Sequence, residues 1–122
     1  MKNALFAVAP LLALAACSQL SDPAVCPAYI PPSVQVTVQD SVTGANVTPG
    51  ATLVLRDGAT VDSVTAPPIA VSVGVGEGRT GTFTLTVRQS GYQAWTKTGI
   101  EVEEGRCGAR TVQLTARLKP GA

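Results

Sequence analysis

Thr82-Phe83-Thr84-Leu85-Thr86-Val87-Arg88 decides the fold. Phe83, Leu85 and Val87 alternate without a break against Thr82, Thr84, Thr86 and Arg88. A strand sends successive side chains to opposite faces, so this stretch predicts one buried and one wet face. A packed helix would need apolar residues at i, i+3 and i+4 instead. The same period recurs on both sides. Val34, Val36 and Val38 alternate with Gln35, Thr37 and Gln39, and Val112, Leu114, Ala116 and Leu118 alternate with Thr111, Gln113, Thr115 and Arg117. Between them, residues 51–56 put Leu53 and Leu55 on one face, residues 59–65 form a more polar strand, and Ile69, Val71, Val73 and Val75 fall in phase over 69–75. Residues 92–97 and a short piece at 100–102 complete the set.

Turn residues punctuate these runs. Asp57-Gly58 predicts a two-residue hairpin, because a type I′ turn needs positive φ at both central positions. Thr43-Gly44, Pro49-Gly50, Pro67-Pro68 and Ser90-Gly91 mark other reversals, and residues 103–108 read as a loop holding Cys107. Val (16) and Thr (14) dominate the chain, as β-branched residues do in strands. The expectation is an all-β chain, a sandwich of seven short strands with turns every eight to twelve residues or so.

Composition bounds the function. The chain has 122 residues, enough for one domain, and no His, so the usual general base near neutral pH and the usual zinc ligand are missing. A net charge of +1 supplies no basic field for nucleic acid. Three cysteines are an odd number, which needs an explanation if the protein is exported.

Residues 1–16 are organised as an export signal, with Lys2 at the start and an apolar run over 5–14 broken only by Pro10. The run is too short for a transmembrane helix. Its ending, Leu14-Ala15-Ala16-Cys17, resembles the lipobox of bacterial lipoproteins, in which cleavage precedes a Cys that becomes lipidated. Ala13-Leu14-Ala15 also satisfies the small-x-small rule of an ordinary export signal. The lipoprotein resemblance implies Cys17 carrying several fatty-acyl chains of the palmitate kind, which together hold a protein firmly to a membrane. Ser18, rather than Asp, follows that Cys; this resembles the outer-membrane default if the bacterium is Gram-negative, on the periplasmic or the surface side. Lipidating Cys17 leaves Cys26 and Cys107 as an even pair in an oxidising compartment, a candidate structural disulfide. Residues 17–32, with Pro23, Pro27, Pro31 and Pro32, then read as an extended stem, and residues 33–119 as the domain.

Val38-x-Asp40, Thr43-Gly44, Val47-x-Pro49-Gly50-Ala51-x-Leu53-x-Leu55, Gly81-x-Phe83-x-Leu85-x-Val87 and Gly91-Tyr92 follow in order. Together they resemble the carboxypeptidase regulatory-like domain, a seven-stranded Greek-key β-sandwich of transthyretin-like (prealbumin-like) fold. The likeness covers roughly residues 33–118. Gly76-Glu77-Gly78-Arg79-Thr80 departs from the Thr-Asp-x-x-Gly run usual in that family, and the cysteine pair is not part of its general pattern. The resemblance implies that Tyr92 tethers one end of the sandwich with its hydroxyl on the backbone. It also weighs against an enzyme, since catalytic relatives of this fold use His residues that the chain lacks.

Few residues suggest a site. Gly76 to Gly81 spell G-x-G-x-x-G, but a strand follows instead of the helix that binds pyrophosphate, so a flexible hairpin loop is the expectation. Asn46-x-Thr48 matches a glycosylation sequon, which a bacterial lipoprotein would not use. Trp95, on an extended 92–97 segment, shares a face with Gln93 and Lys97. It is either an exposed platform for a sugar or partner or, with a bulge or bend, a lid over the core, or else it lies against the membrane surface. Glu101 and Glu103 lie on one side of an extended strand, with Glu104 beside them. They suggest either a calcium edge or, because hard cations need converging oxygens, a solvated strand border. The expected function is therefore a non-catalytic, membrane-anchored envelope lipoprotein whose sandwich serves as a structural or protein-interaction module. The alternative is an envelope carbohydrate- or calcium-binding module using the Trp95 face and the Glu101 to Glu104 edge. Neither needs a cofactor; the membrane, envelope proteins or glycan are the expected partners, and nucleic acid is not.

Overall fold

A computed structural model describes Cys26 and residues 28–121; the leader and Cys17 lie outside the described residues. Among the described residues there is no helix. The chain forms β1 (Pro32–Asp40), β2 (Thr52–Asp57), β3 (Thr60–Thr65), β4 (Val73–Glu77), β5 (Gly81–Arg88), β6 (Trp95–Val102), β7 (Glu104–Gly105), β8 (Gly108–Ala109) and β9 (Val112–Leu118). One sheet has the order β4-β1-β9, a second β3-β2-β5-β6, and β7 and β8 pair by themselves. The larger sheet is antiparallel throughout, whereas β9 lies parallel to β1 and β4 antiparallel to it.

Both larger sheets turn their apolar alternates inward, as the period-two pattern requires. Val34, Val36 and Val38 come from β1, Leu53 and Leu55 from β2, Phe83, Leu85 and Val87 from β5, and Ala116 and Leu118 from β9. They form one buried cluster with Val73, Val75, Ile100 and Val102. Register keeps these residues level. Val36 sits opposite Leu114, Leu55 opposite Leu85 and Phe83 opposite Ile100. The result is a sandwich-like all-β fold with one core.

Several sequence expectations are corrected. The fourth strand starts at Val73, not Ile69, and Ile69 and Val71 are 89% and 71% exposed. Pro67 and Pro68 have no N–H for a ladder, and Ala70 N–H instead closes a turn onto Pro67 O at 3.1 Å. The Val71 carbonyl accepts from Asn46 Nδ2 (3.0 Å) and Thr48 Oγ1 (3.1 Å), so it is committed to a loop. The β2–β3 hairpin forms one residue later than expected. Asp57 pairs with Thr60, which puts Gly58 and Ala59 at its centre, with Gly58 taking the positive φ of 56°. Residues 76–81 do not make a hairpin loop. Gly76 and Glu77 end β4 in one sheet, and the chain crosses to β5 in the other.

Residues 95–102 form one continuous strand rather than two pieces. Two residues, Thr98 and Gly99, lie opposite Thr84 between the Phe83–Ile100 and Leu85–Lys97 pairs. This is a β-bulge, and Gly99 supplies the left-handed conformation (φ 67°) such a bulge uses. The expected loop at 103–108 contains the small β7–β8 hairpin, with Arg106 and Cys107 at its tip.

Strand directions sort the loops into two ends. Pro32 of β1, Asp57, Glu77, Gly81, Val102 and Val112 lie at the stem end; Asp40, Thr52, Val73, Arg88, Trp95 and Leu118 lie at the distal end. Each end is closed by different chemistry.

Candidate functional site

At the stem end Cys26 and Cys107 are disulfide-bonded, with Cα atoms 5.3 Å apart and 81 residues of sequence separation. The β7–β8 tip presents Cys107 to the stem, while Thr111 Oγ1 donates to Pro32 O at 2.7 Å beside it. The stem is thus bonded to the domain both covalently and at the start of β1.

The distal end is closed by side chains. Asp40 Oδ1 accepts from the N–H groups of Val42 (2.7 Å) and Thr43 (2.9 Å), forming an Asx turn after β1. Its Oδ2 accepts from the Tyr92 hydroxyl at 2.7 Å. The Tyr92 tether therefore ends on a carboxylate and not on the backbone. Asp40, at 9% exposure, ends β1 at the same end of the fold as the β5–β6 loop that carries Tyr92. The Thr43 N–H, then the Tyr92 hydroxyl and the Val42 N–H, hold the Asp40 carboxyl below its ordinary pKa. Accepting that hydrogen bond, Asp40 in turn raises the Tyr92 pKa, with burial and the carboxylate charge adding to it.

Fully buried Thr48 completes this end. Its Oγ1 accepts from Val38 N–H at 2.9 Å and donates toward Val71 O. Gln89 Nε2 donates to both Val47 O and Pro49 O at 2.7 Å. These polar partners went unread in the sequence. Thr48 falls within the Asn46-x-Thr48 sequon pattern, yet its buried hydroxyl serves the backbone.

The two sheets leave two lateral edges open. At one, β3 faces β4 across a cleft of about 180 Å³ lined by Asp62 and Glu77 with backbone of 74–76. Arg79, in the crossing to β5, pairs with Asp62 there, its Nε 3.0 Å from Oδ2, and lies 5.3 Å from the centre of the Phe83 ring. Ser33 Oγ donates to the Arg79 carbonyl at 2.6 Å, so this cation is fixed from both sheets. It had no signal in the alternation, because only sheet order brings β3 beside the β4–β5 crossing.

At the other edge, β6 faces β9 across a cleft of about 260 Å³ lined by Gln93, Ala94, Trp95, Thr96, Arg117 and Lys119. Trp95 pairs with Val87 and packs half-buried against the core. Its flank still lines the cleft. Glu101 and Glu103 are both exposed, near the stem end of β6, away from Trp95. Among the described residues no three His, Cys, Asp or Glu side chains gather as a metal-binding group. The structure thus does not bring Trp95 and the glutamates into one site, and instead adds Arg117 and Lys119 to Trp95.

No protein-family model matches the chain, and no curated protein matches it significantly.

Proposed function

We propose that the protein is a non-catalytic cell-envelope lipoprotein, held to a membrane through Cys17 and presenting its β-domain as a structural or protein-interaction module. The observation that carries this reading is the Cys26–Cys107 disulfide. It accounts for two of three cysteines and leaves Cys17, the lipobox residue, as the third. Disulfides persist in oxidising compartments, which agrees with an exported chain. The stem between Cys17 and Cys26 is only nine residues long in reach, roughly 30 Å when stretched, so the domain stays close to its membrane. The outer membrane is the expected site in a Gram-negative cell. We read the sheets of three and four strands as a seven-stranded Greek-key, transthyretin-like sandwich of the carboxypeptidase regulatory-like kind, with β7 and β8 as an elaboration that carries Cys107.

The test is metabolic labelling of the full chain with an alkynyl fatty acid in a bacterial host. Label should enter the wild-type protein and be lost in Cys17→Ser, which should also leave the membrane fraction. Label that persists in Cys17→Ser sinks the anchor reading. Crosslinking in intact envelopes would then identify what the domain touches.

A second reading has its own support in the position of Trp95. The lone Trp of the chain borders an open cleft, as an aromatic that stacks on a sugar ring does. Envelope glycan is the ligand class on that reading.

A further inference from the structure

We propose that the β6–β9 cleft binds an acidic saccharide, its ring against Trp95 and its carboxylate or phosphate on Arg117 and Lys119. This rests on the glycan reading of Trp95 and fixes the ligand's charge. The contrast between the two lateral clefts carries it. The β3–β4 cleft is bordered by Asp62 and Glu77 and has its own cation, Arg79, paired with Asp62. The β6–β9 cleft has two cations and no carboxylate among its lining residues. Among the described residues the Arg79–Asp62 contact is the one ion pair, so neither Arg117 nor Lys119 is paired with a described carboxylate. Lys97, exposed two residues beyond Trp95 on β6, extends the same positive border. Clefts lined by one sign of charge concentrate ligands of the other.

The cleft's size suits a ring. Its volume of about 260 Å³ is just under the roughly 300–1,000 Å³ typical of drug-sized ligands, which suits a single sugar unit. Its distal end is closed where Gln93 N–H donates to Lys119 O at 2.9 Å and Tyr92 bridges to Pro120. Those bonds shorten the cleft at this end, beyond the open outer edges of β6 and β9. Trp95 packs half-buried against the core, which restrains the platform before any ligand arrives. Arg117 stands on β9, paired with Gln39 of β1, and therefore approaches from the opposite sheet. A ligand would bridge the two sheets at the point where their edges part.

Because Trp95 is the chain's single Trp, intrinsic fluorescence of the full-length protein reports on this cleft alone. The probes are digalacturonate, glucose 6-phosphate, a neutral disaccharide, inorganic phosphate and an acidic hexapeptide. Digalacturonate and glucose 6-phosphate should each shift the Trp95 emission saturably, and the neutral sugar should bind at least about tenfold more weakly. Binding should weaken as salt rises from about 50 to 300 mM. The double variant Arg117→Gln/Lys119→Gln should lose about tenfold or more in affinity with an unchanged unfolding midpoint, since both side chains are exposed. Equal binding of the neutral sugar would overturn the charge selection while leaving a glycan site standing. No response to any sugar would overturn the proposal and the glycan reading together. Phosphate binding as tightly as glucose 6-phosphate would reduce the cleft to a simple anion site, and response to the peptide alone would replace it with strand pairing; either result overturns the proposal.

Discussion

The two ends of the sandwich are closed in opposite ways. At the stem end one covalent bond, Cys26–Cys107, joins the chain's entry to the β7–β8 tip just before the last strand. At the distal end no bond is covalent. Asp40, Thr48, Gln89 and Tyr92 hold the loops through hydrogen bonds to backbone and to each other. A disulfide acts chiefly on the unfolded chain, by shortening the excursions it can make. Buried hydrogen bonds act on the folded chain, and matter most for what their loss would leave unpaired. On the proposed lipoprotein reading, the covalent closure would sit at the end joined to the anchor. The distal end keeps a closure that depends on local geometry and on pH.

Reduction should produce the largest effect. Constraining a loop of about 80 residues stabilises the fold by about 4–5 kcal/mol in the chain-entropy treatment. That is a large share of the roughly 5–15 kcal/mol of net stability typical of a domain. The denaturant midpoint of the wild-type protein should therefore fall sharply with reductant, and Cys107→Ser should start low and not respond. An unchanged midpoint on reduction would mean that the Thr111–Pro32 bond and strand pairing close the stem end without help from the bridge.

Thr48→Val tests the other end at a smaller scale. Valine keeps the shape and burial but cannot accept the Val38 N–H or donate to the Val71 carbonyl. Leaving a buried donor unpaired costs about 1–3 kcal/mol. Thr48→Ser should recover most of that loss, because it restores the hydroxyl. Destabilisation by Thr48→Ser but not by Thr48→Val would assign the effect to packing of the methyl group. Hydrogen exchange should localise the damage to the amides of Val38 and the 66–72 loop, leaving the stem end protected.

These two ends also divide what was legible in the sequence. The stem-end bridge was legible from the cysteine count taken with the lipobox resemblance, which sets Cys17 aside and leaves two cysteines to pair. The central strands were legible because Phe83-Leu85-Val87 and Val34-Val36-Val38 alternate cleanly, and alternation is a one-dimensional signal. The distal closure was not, because Asp40 and Tyr92 are 52 residues apart and meet only once β1 and the β5–β6 loop share an end. Ile69 and Val71 misled for a related reason. Their phase matched Val73 and Val75, but the preceding prolines and the capture of the Val71 carbonyl by Asn46 and Thr48 pull them out of the sheet. The cleft at Trp95 needed sheet order. Arg117 and Lys119 look like solvated alternates of the last strand until β9 is placed across an open edge from β6. Trp95's own facing was obscured by the chain path between Tyr92 and Trp95, which is not the extended run that period-two counting assumes.

The mildest and most specific effect concerns pH, and it belongs to the Asp40–Tyr92 pair at the distal end. Asp40 has a folded pKa below its ordinary value of 3.8. Its contribution is therefore fully present above that value and is lost as pH falls through the lower folded one. Tyr92 has a folded pKa above its ordinary value of 10.0. Its contribution is fully present below 10.0 and is lost as pH rises through the higher folded one. Stability should thus be flat across neutral pH and decline at both extremes. Tyr92→Phe removes the group responsible for this alkaline decline and takes one of three partners from Asp40, so its acid decline should remain but shrink. Asp40→Asn removes the titrating carboxylate, and with it the acid decline and the charge that raises Tyr92. Thermal unfolding of the three proteins from acid to strongly alkaline pH separates these cases. The two variants should each lower the neutral-pH midpoint by less than Thr48→Val does, because Asp40 and Tyr92 lie close enough to solvent for water to replace part of what is lost. An acid decline that survives intact in Asp40→Asn would place the sensitive carboxylate elsewhere, and the distal end would then be closed by Thr48 and Gln89 without a titrating member.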